Sequence, residues 1–178
     1  EIAVIVDNSP SEEVYPQMAD FTFYGGMYRN VNLICVNKAH FDLDYYGAPG
    51  IKITPVVDGK NAKVEIEVYS TELPAGAEYL YTICDKEGNV VAEARSNSKV
   101  ANFVIENVHL WHGRRDPYLY SATASIVNGE SVLDNVSSRF GCRSFKIDPT
   151  NGFILNGEEY PLRGVSRHQD RLGFGNAL

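Results

Sequence analysis

Apolar residues recur at every second position in one short run after another, and this alternation restricts the chain to half-buried β-strands. Val64, Ile66 and Val68 alternate with Lys63, Glu65 and Glu67. Tyr79, Tyr81 and Ile83 continue the pattern, and Phe103 and Ile105 share one face of a run from Lys99 to Val108. Tyr118, Tyr120, Ala122, Ala124 and Ile126 alternate with Leu119, Ser121, Thr123, Ser125 and Val127. Ile51 to Val57 alternates as well, and Pro55 within it marks an edge strand or a bulge. Turn residues separate the runs: Asp58-Gly59, Lys86 to Asn89, which leads into Val90 to Ala94, and Asn128-Gly129. Ser131-Val132-Leu133 begins a further run up to Phe140, and Cys142 to Ile147 closes the series.

Seven or so short strands, with turns about every ten residues and no helical periodicity, predict an all-β fold, an immunoglobulin-like β-sandwich over residues 45–148. The Cys–Trp–Cys spacing of antibody domains is absent, because the single Trp111 precedes a loop, His112 to Pro117. Residues 1–40 read differently. A strand-like run, Ile2 to Val6, a polar loop and a second run, Phe21 to Val36 with Gly25-Gly26 as a bulge or tight turn, are too little for a core. They read as the last strands of a preceding β domain, or as edge strands added to the sandwich. Residues 149–178 change character again. Asp148 to Gly152 is turn-rich, Phe153 to Leu162 reads as a hairpin turning at Asn156-Gly157, and Gly164-Val165 reads as a strand. That strand opens into Ser166-Arg167-His168-Gln169-Asp170, the way an α/β barrel delivers side chains to its active face.

Composition excludes some functions. The 178 residues are 44% hydrophobic and 22% charged, ordinary globular material. A formal net charge of −7 argues against nucleic acid and against an anionic membrane as partners, since both need clustered Lys and Arg. No apolar run is long enough to span a bilayer as a helix. Cys35, Cys84 and Cys142 are odd in number and form no CxxC, and they read as buried thiols. The compartment is left open.

Among single residues, His168 stands out, placed after an apolar strand beside Arg167 and Asp170. An imidazole there can hydrogen-bond a sugar hydroxyl or a developing charge. Arg167 and Asp170 read first as a local ion pair. Trp111, Tyr118 and Tyr120 could form an aromatic sugar platform, although the alternation places Tyr118 and Tyr120 with the core-facing alanines. His109 and His112 sit in a loop with no third ligand, and Asp42 and Asp44 beside His40 lack the Gly and Glu of a calcium loop, so no metal site is expected. No GxSxG, HExxH, P-loop or GxGxxG occurs.

Several elements in order resemble glycoside hydrolase family 2, with the β-galactosidase branch nearest in likeness. They are Tyr24-Gly25-Gly26-Met27-Tyr28-Arg29-Asn30-Val31, Leu110-Trp111 with Pro117-Tyr118-Leu119-Tyr120, Phe140-Gly141-Cys142-Arg143, and Leu155-Asn156-Gly157 with Leu162-Arg163-Gly164-Val165-Ser166-Arg167-His168. The resemblance covers essentially the whole chain. It implies three parts: residues 1–40 as the C-terminal strands of a jelly-roll, sugar-binding-like domain, residues 45–148 as the sandwich, and residues 149–178 as the start of a truncated catalytic (β/α)8 barrel.

Such enzymes are retaining exo-glycosidases, in which one Glu is acid/base and another is nucleophile, with the carboxylates about 5–5.5 Å apart. The resemblance places both beyond Leu178, so the chain alone is expected to be inactive and the sandwich to act as a spacer. It assigns His168 to the mouth of the first barrel strand, contacting the terminal sugar, with Asp170 and Arg167 as lesser substrate-binding candidates. Where the family motif reads Gly-Val-Asn-Arg/Lys-His-Glu, this chain has Ser166 and Gln169 in place of Asn and Glu. The implied substrate is a terminal β-D-galactoside, with a β-glucuronidase or β-mannosidase parent as the alternative. A divalent cation and a homo-oligomeric state are compatible with the parent enzyme, and no cofactor is expected in this chain. An autonomous carbohydrate- or protein-binding sandwich is the competing reading from another class.

Overall fold

The structure is a computed structural model that describes residues 1–13, 23–27, 29–167, 169 and 171–175. The chain divides into two compact units, Cys35–Leu162 and Glu1–Ile34 with Arg163–Leu178. Every strand among the described residues lies in the first.

Two antiparallel sheets face each other in that unit. One has the order β1-β2-β5, with β1 Ile51–Asp58, β2 Asn61–Val68 and β5 Val100–Ile105. The other has the order β4-β3-β6-β7, with β3 Ala77–Cys84, β4 Val90–Ser96, β6 Tyr120–Asn128 and β7 Ser131–Phe140. The alternation set out above decides which faces meet. Val64, Ile66 and Val68 of β2 are all but fully buried, as are Tyr79, Tyr81 and Ile83 of β3, whereas Lys63 and Glu65 face water. On β6 the small residues have a purpose. Ala124 lies opposite Tyr81 and Ala122 opposite Ile83, so β6 yields volume where β3 carries bulk. Tyr81 reaches Phe103 of the opposite sheet at a ring separation of 6.5 Å, and its hydroxyl donates to the Ser98 carbonyl at 2.8 Å. The structure is therefore the all-β sandwich that the sequence pattern requires, and the described residues contain no helix. Pro55 lies on β1, an edge strand, where its missing N–H is tolerated.

Cys142 to Ile147 does not close the sandwich as expected. Cys142 joins it through a parallel bridge to Leu110. The chain then leaves for a third sheet of order β10-β9-β8, with β8 Phe145–Asp148, β9 Gly152–Leu155 and β10 Glu158–Glu159. The hairpin expected at Asn156-Gly157 is β9-β10, and both turn residues have positive φ, 51° and 86°. Leu155 and Ile154 are buried, while Phe145 and Ile147 of β8 stay exposed.

The end of the sandwich near β1 is covered by the segment that precedes it. Phe41 is buried, its amide donating to Asp134 Oδ2 at 2.8 Å, and its ring lies 6.2 Å from that of Tyr79.

The second unit is described by itself. The described residues of Ile2–Val6 and of 23–34 form no strand, and Ile2, Ile5 and Leu33 are exposed. A strand is held by a neighbour's ladder, and the described residues of this unit supply none. The same applies to Gly164-Val165, which has no strand pairing, with Val165 94% exposed. The unit's order comes from small motifs. Asn8 Nδ2 donates to the Phe23 carbonyl at 3.1 Å, and Arg171 and Gly175 form a bridge closed by the Gly175 amide at 2.9 Å.

Candidate functional site

The polar cluster singled out after Val165 divides in two. His168 and Asp170 lie outside the described residues. Arg167 and Ser166 are exposed in an extended segment. Gln169 is also exposed.

The second concentration of polar and aromatic groups lies where the sandwich meets the third sheet. Leu110 to Leu119 forms the connection before β6. Its tip is a tight turn in which the His112 amide donates to Asp116 O at 2.7 Å and Gly113 takes φ +60°. One flank is His109. Its Nε2 lies 2.6 Å from Asp116 Oδ2, its ring stacks on Tyr118 at 3.9 Å, and its amide donates to the Tyr120 hydroxyl at 2.9 Å. The other flank is His112. Its buried Nε2 has no hydrogen-bond partner and stands 3.6 Å from Glu158 Oε2 of β10. Glu158 also receives Arg115 at 3.3 Å. Asn156, at the β9-β10 turn, ties the two parts together. Its Nδ2 donates to the Trp111 carbonyl at 3.0 Å, and its Oδ1 accepts the Ser144 amide at 2.9 Å.

This geometry settles the aromatic-platform reading. Tyr120 is buried and packs on Phe140. Trp111 is half-buried with the Arg143 guanidinium 4.9 Å from its ring, and Tyr118 is covered on one face by His109. The three rings present no common open face, so they do not form a sugar platform together.

A groove of about 540 Å³ beside Tyr118 and Tyr120 is lined by Asp85, His109 and Glu106 as well. Its Asp85 serves the fold, accepting the Asn89 amide and side chain at 2.8 and 2.9 Å. The Asn89 side chain and the turn amides hold the Asp85 carboxyl below the usual carboxylate range. Burial raises the Tyr120 phenol. Among the described residues no three His, Cys, Asp or Glu side chains are placed to share a metal ion. No helix of the described residues is long and apolar enough to cross a membrane. Of the three thiols, Cys142 is buried, Cys84 is half-buried and Cys35 is exposed, so the expectation of three buried thiols fails at Cys35.

One cluster escaped sequence reasoning. Tyr45 stacks on Tyr69 with centroids 4.2 Å apart, and Tyr46 meets Tyr45 edge-on at 5.2 Å. Tyr45 is the larger influence on the Tyr69 phenol, and with burial and the Glu67 side chain it holds that phenol above its ordinary range. The available sequence signal was the turn-rich Gly47-Ala48-Pro49-Gly50 directly after two tyrosines.

A sandwich of two antiparallel sheets with a joint to a small third sheet defines an immunoglobulin-like domain with its flanking segments. Residues 49–143 match the family model for glycosyl hydrolases family 2, and the chain belongs to that family. It is 31% identical over 188 residues to a beta-glucuronidase of Bacteroides fragilis, covering 99% of this chain and 27% of the relative. It is 28% identical to a beta-galactosidase of Thermoanaerobacter pseudethanolicus, covering 99% of this chain and 24% of the relative. Among solved structures, an FMN-binding beta-glucuronidase from Faecalibacterium prausnitzii L2-6 aligns with a TM-score of 0.89 at 43% identity, over 96% of this chain and 27% of that one. A Bacteroides uniformis beta-glucuronidase aligns at 0.84 and 30% identity, over 97% and 22%. The chain thus spans about a quarter of the length of the relatives it matches.

Proposed function

We propose that these residues belong to a retaining exo-glycosidase that removes a terminal β-D-glycosyl unit, a galactosyl or a glucuronyl group. The family match over the sandwich carries this reading. In such a mechanism one carboxylic acid protonates the leaving oxygen, and a carboxylate about 5–5.5 Å away attacks the anomeric carbon. We place both carboxylates outside the 178 residues given. In this proposal the sandwich is a spacer, and the residues after Val165 supply His168, with Arg167 and Asp170 beside it, to the terminal sugar. The galactoside reading rests on the ordered motifs. A specific observation favours the glucuronide. The relative at 31% identity and the structures at 43% and 30% identity all carry the name beta-glucuronidase.

The test is hydrolysis of p-nitrophenyl β-D-galactoside and β-D-glucuronide by the chain as given and by a form extended through a full barrel, each with and without EDTA. Activity is expected only in the extended form, with a large loss in kcat/KM on His168→Ala. The preferred chromogenic substrate decides between the two sugars, and the EDTA arm reads any divalent-cation requirement. Hydrolysis by the 178-residue chain would overturn the spacer reading.

A further inference from the structure

The tyrosine cluster ahead of β1 is built around a conformation that a tyrosine avoids. Tyr46 has φ +48° and the following Gly47 +70°. Tyr45 and Ala48 close the turn, with the Ala48 amide donating to Tyr45 O at 2.8 Å. Two central residues at positive φ are the mark of a type I′ turn, whose first central position favours Asn, Asp or Gly. A bulky side chain there is an outlier. Such strain persists only where the surroundings over-determine it, and it gathers at functional places. The surroundings here do so. The Asp42 amide donates to Tyr69 O at 2.8 Å, the Tyr69 amide donates to Gly50 O at 2.9 Å, and a Cβ on Gly50 would lie 2.5 Å from the Tyr69 carbonyl oxygen.

The strain does not serve the core, because the Tyr46 side of the turn faces water and the residue is 94% exposed. Its neighbours are fixed. Tyr45 is stacked on Tyr69, and beside them Lys52 Nζ of β1 donates to Glu67 Oε2 of β2 at 3.0 Å. The outcome is an immobilised turn with one open aromatic face and, on the adjoining strands, phenol, carboxylate and ammonium groups. The electron-rich face of an aromatic ring attracts the weakly positive C–H face of a pyranose, and a polar rim takes its hydroxyls. Charge narrows the class. Asp42 and Asp44 precede the turn in the chain and Glu65 and Glu67 lie on β2, which leads into Tyr69, while Lys52 is already paired with Glu67, so an anionic sugar is repelled. We infer that the Tyr46 turn is an accessory site that stacks a neutral β-linked oligosaccharide, separate from the residues after Val165. The proposal rests on family membership and not on which terminal sugar the whole enzyme removes.

The experiment is calorimetric titration of the 178-residue chain with β-1,4-galactotetraose and, as the anionic comparison, hyaluronan tetrasaccharide. Galactotetraose is expected to bind and hyaluronan to bind more weakly. Tyr46→Gly, which keeps the turn and removes the ring, is expected to loosen galactotetraose about tenfold. Tyr46→Phe keeps the ring and is expected to stay within about twofold. Circular dichroism confirms that both variants fold. Absence of binding by the unaltered chain, unchanged affinity in Tyr46→Gly, or tighter binding of hyaluronan overturns the proposal. No hydrolysis is read, so such a failure leaves the glycosidase reading standing. Failure of the extended enzyme to cleave either chromogenic substrate leaves this titration untouched.

Discussion

The Tyr160 hydroxyl occupies the place where a Cβ on Gly113 would have to go, and it accepts the Arg114 amide at 3.0 Å. The turn before β6 and the residue after β10 are therefore fitted to one another. Gly113 is needed for two reasons, its φ of +60° and the ring against it. Gly113→Ala is expected to destabilise by about 2–3 kcal/mol, combining backbone strain with displacement of the ring. Tyr160→Phe is expected to cost about 1 kcal/mol through the unpaired Arg114 amide. In a double-mutant cycle read by urea unfolding, Gly113→Ala should cost less on a Tyr160→Ala background. Simple additivity would mean that the two residues do not share this space.

Asn156 is a joint as much as a turn residue. Its side chain holds the Trp111 carbonyl and the Ser144 amide, and its own amide donates to Ser144 O at 2.8 Å. Asn156→Ala removes the side-chain bonds to Trp111 O, the Ser144 amide and His112 Nδ1 and leaves an alanine at φ 51°, which should cost about 2–3 kcal/mol. Asn156→Asp keeps the acceptor and the tolerance for that φ, and should cost less. Equal losses in the two variants, measured by thermal melting, would show that the Nδ2 bonds to Trp111 O and His112 Nδ1 dominate.

The period-two alternation made the sandwich legible, because each of its inner strands has one wet face and one dry face. Val64, Ile66 and Val68 against Lys63, Glu65 and Glu67 define β2 without any knowledge of its neighbours. The same logic misled at β8. Phe145 and Ile147 alternate as a core strand would, yet both are exposed. Alternation says that a strand has two faces and not what either face meets. Tertiary fittings were not legible either. Nothing in the sequence shows that Tyr160 stands over Gly113, or that Tyr120, Trp111 and Tyr118 are committed to packing. The polar motif Arg167 to Asp170 is read from the sequence alone, and His168 and Asp170 lie outside the described residues.

The buried Cys142 thiol supplies a pH-dependent term. Burial pushes its pKa up to about 11 from an ordinary 9.0. Between these values the unfolded chain releases the proton and the folded chain keeps it, so stability falls as pH rises. The contribution is fully present below pH 9.0 and is lost as pH passes through about 11. Melting temperatures from pH 8 to about 11.5 should fall more steeply for the unaltered chain than for Cys142→Ala, which lacks the titrating group. In the same preparation a thiol reagent at neutral pH should modify the exposed Cys35 quickly and Cys142 only on unfolding. Fast modification of Cys142 would contradict its burial.

Tyr46 allows strain to be separated from the loss of a ring. Tyr46→Ala and Tyr46→Gly both remove the aromatic contact with Tyr45, so comparing them cancels that term. What remains is the cost of holding a Cβ at φ +48°. Outside glycine, the left-handed region costs about 1–2 kcal/mol, partly offset by the greater chain entropy that glycine loses on folding. The glycine variant should therefore be the more stable of the two by about 1 kcal/mol, equivalent to a Tm difference of roughly 2–4 °C for a chain of this size. An alanine variant as stable as the glycine variant would mean that the turn relaxes out of the left-handed region once the ring is gone. The strain would then belong to the ring and not to the strap of hydrogen bonds between Asp42, Gly50 and Tyr69.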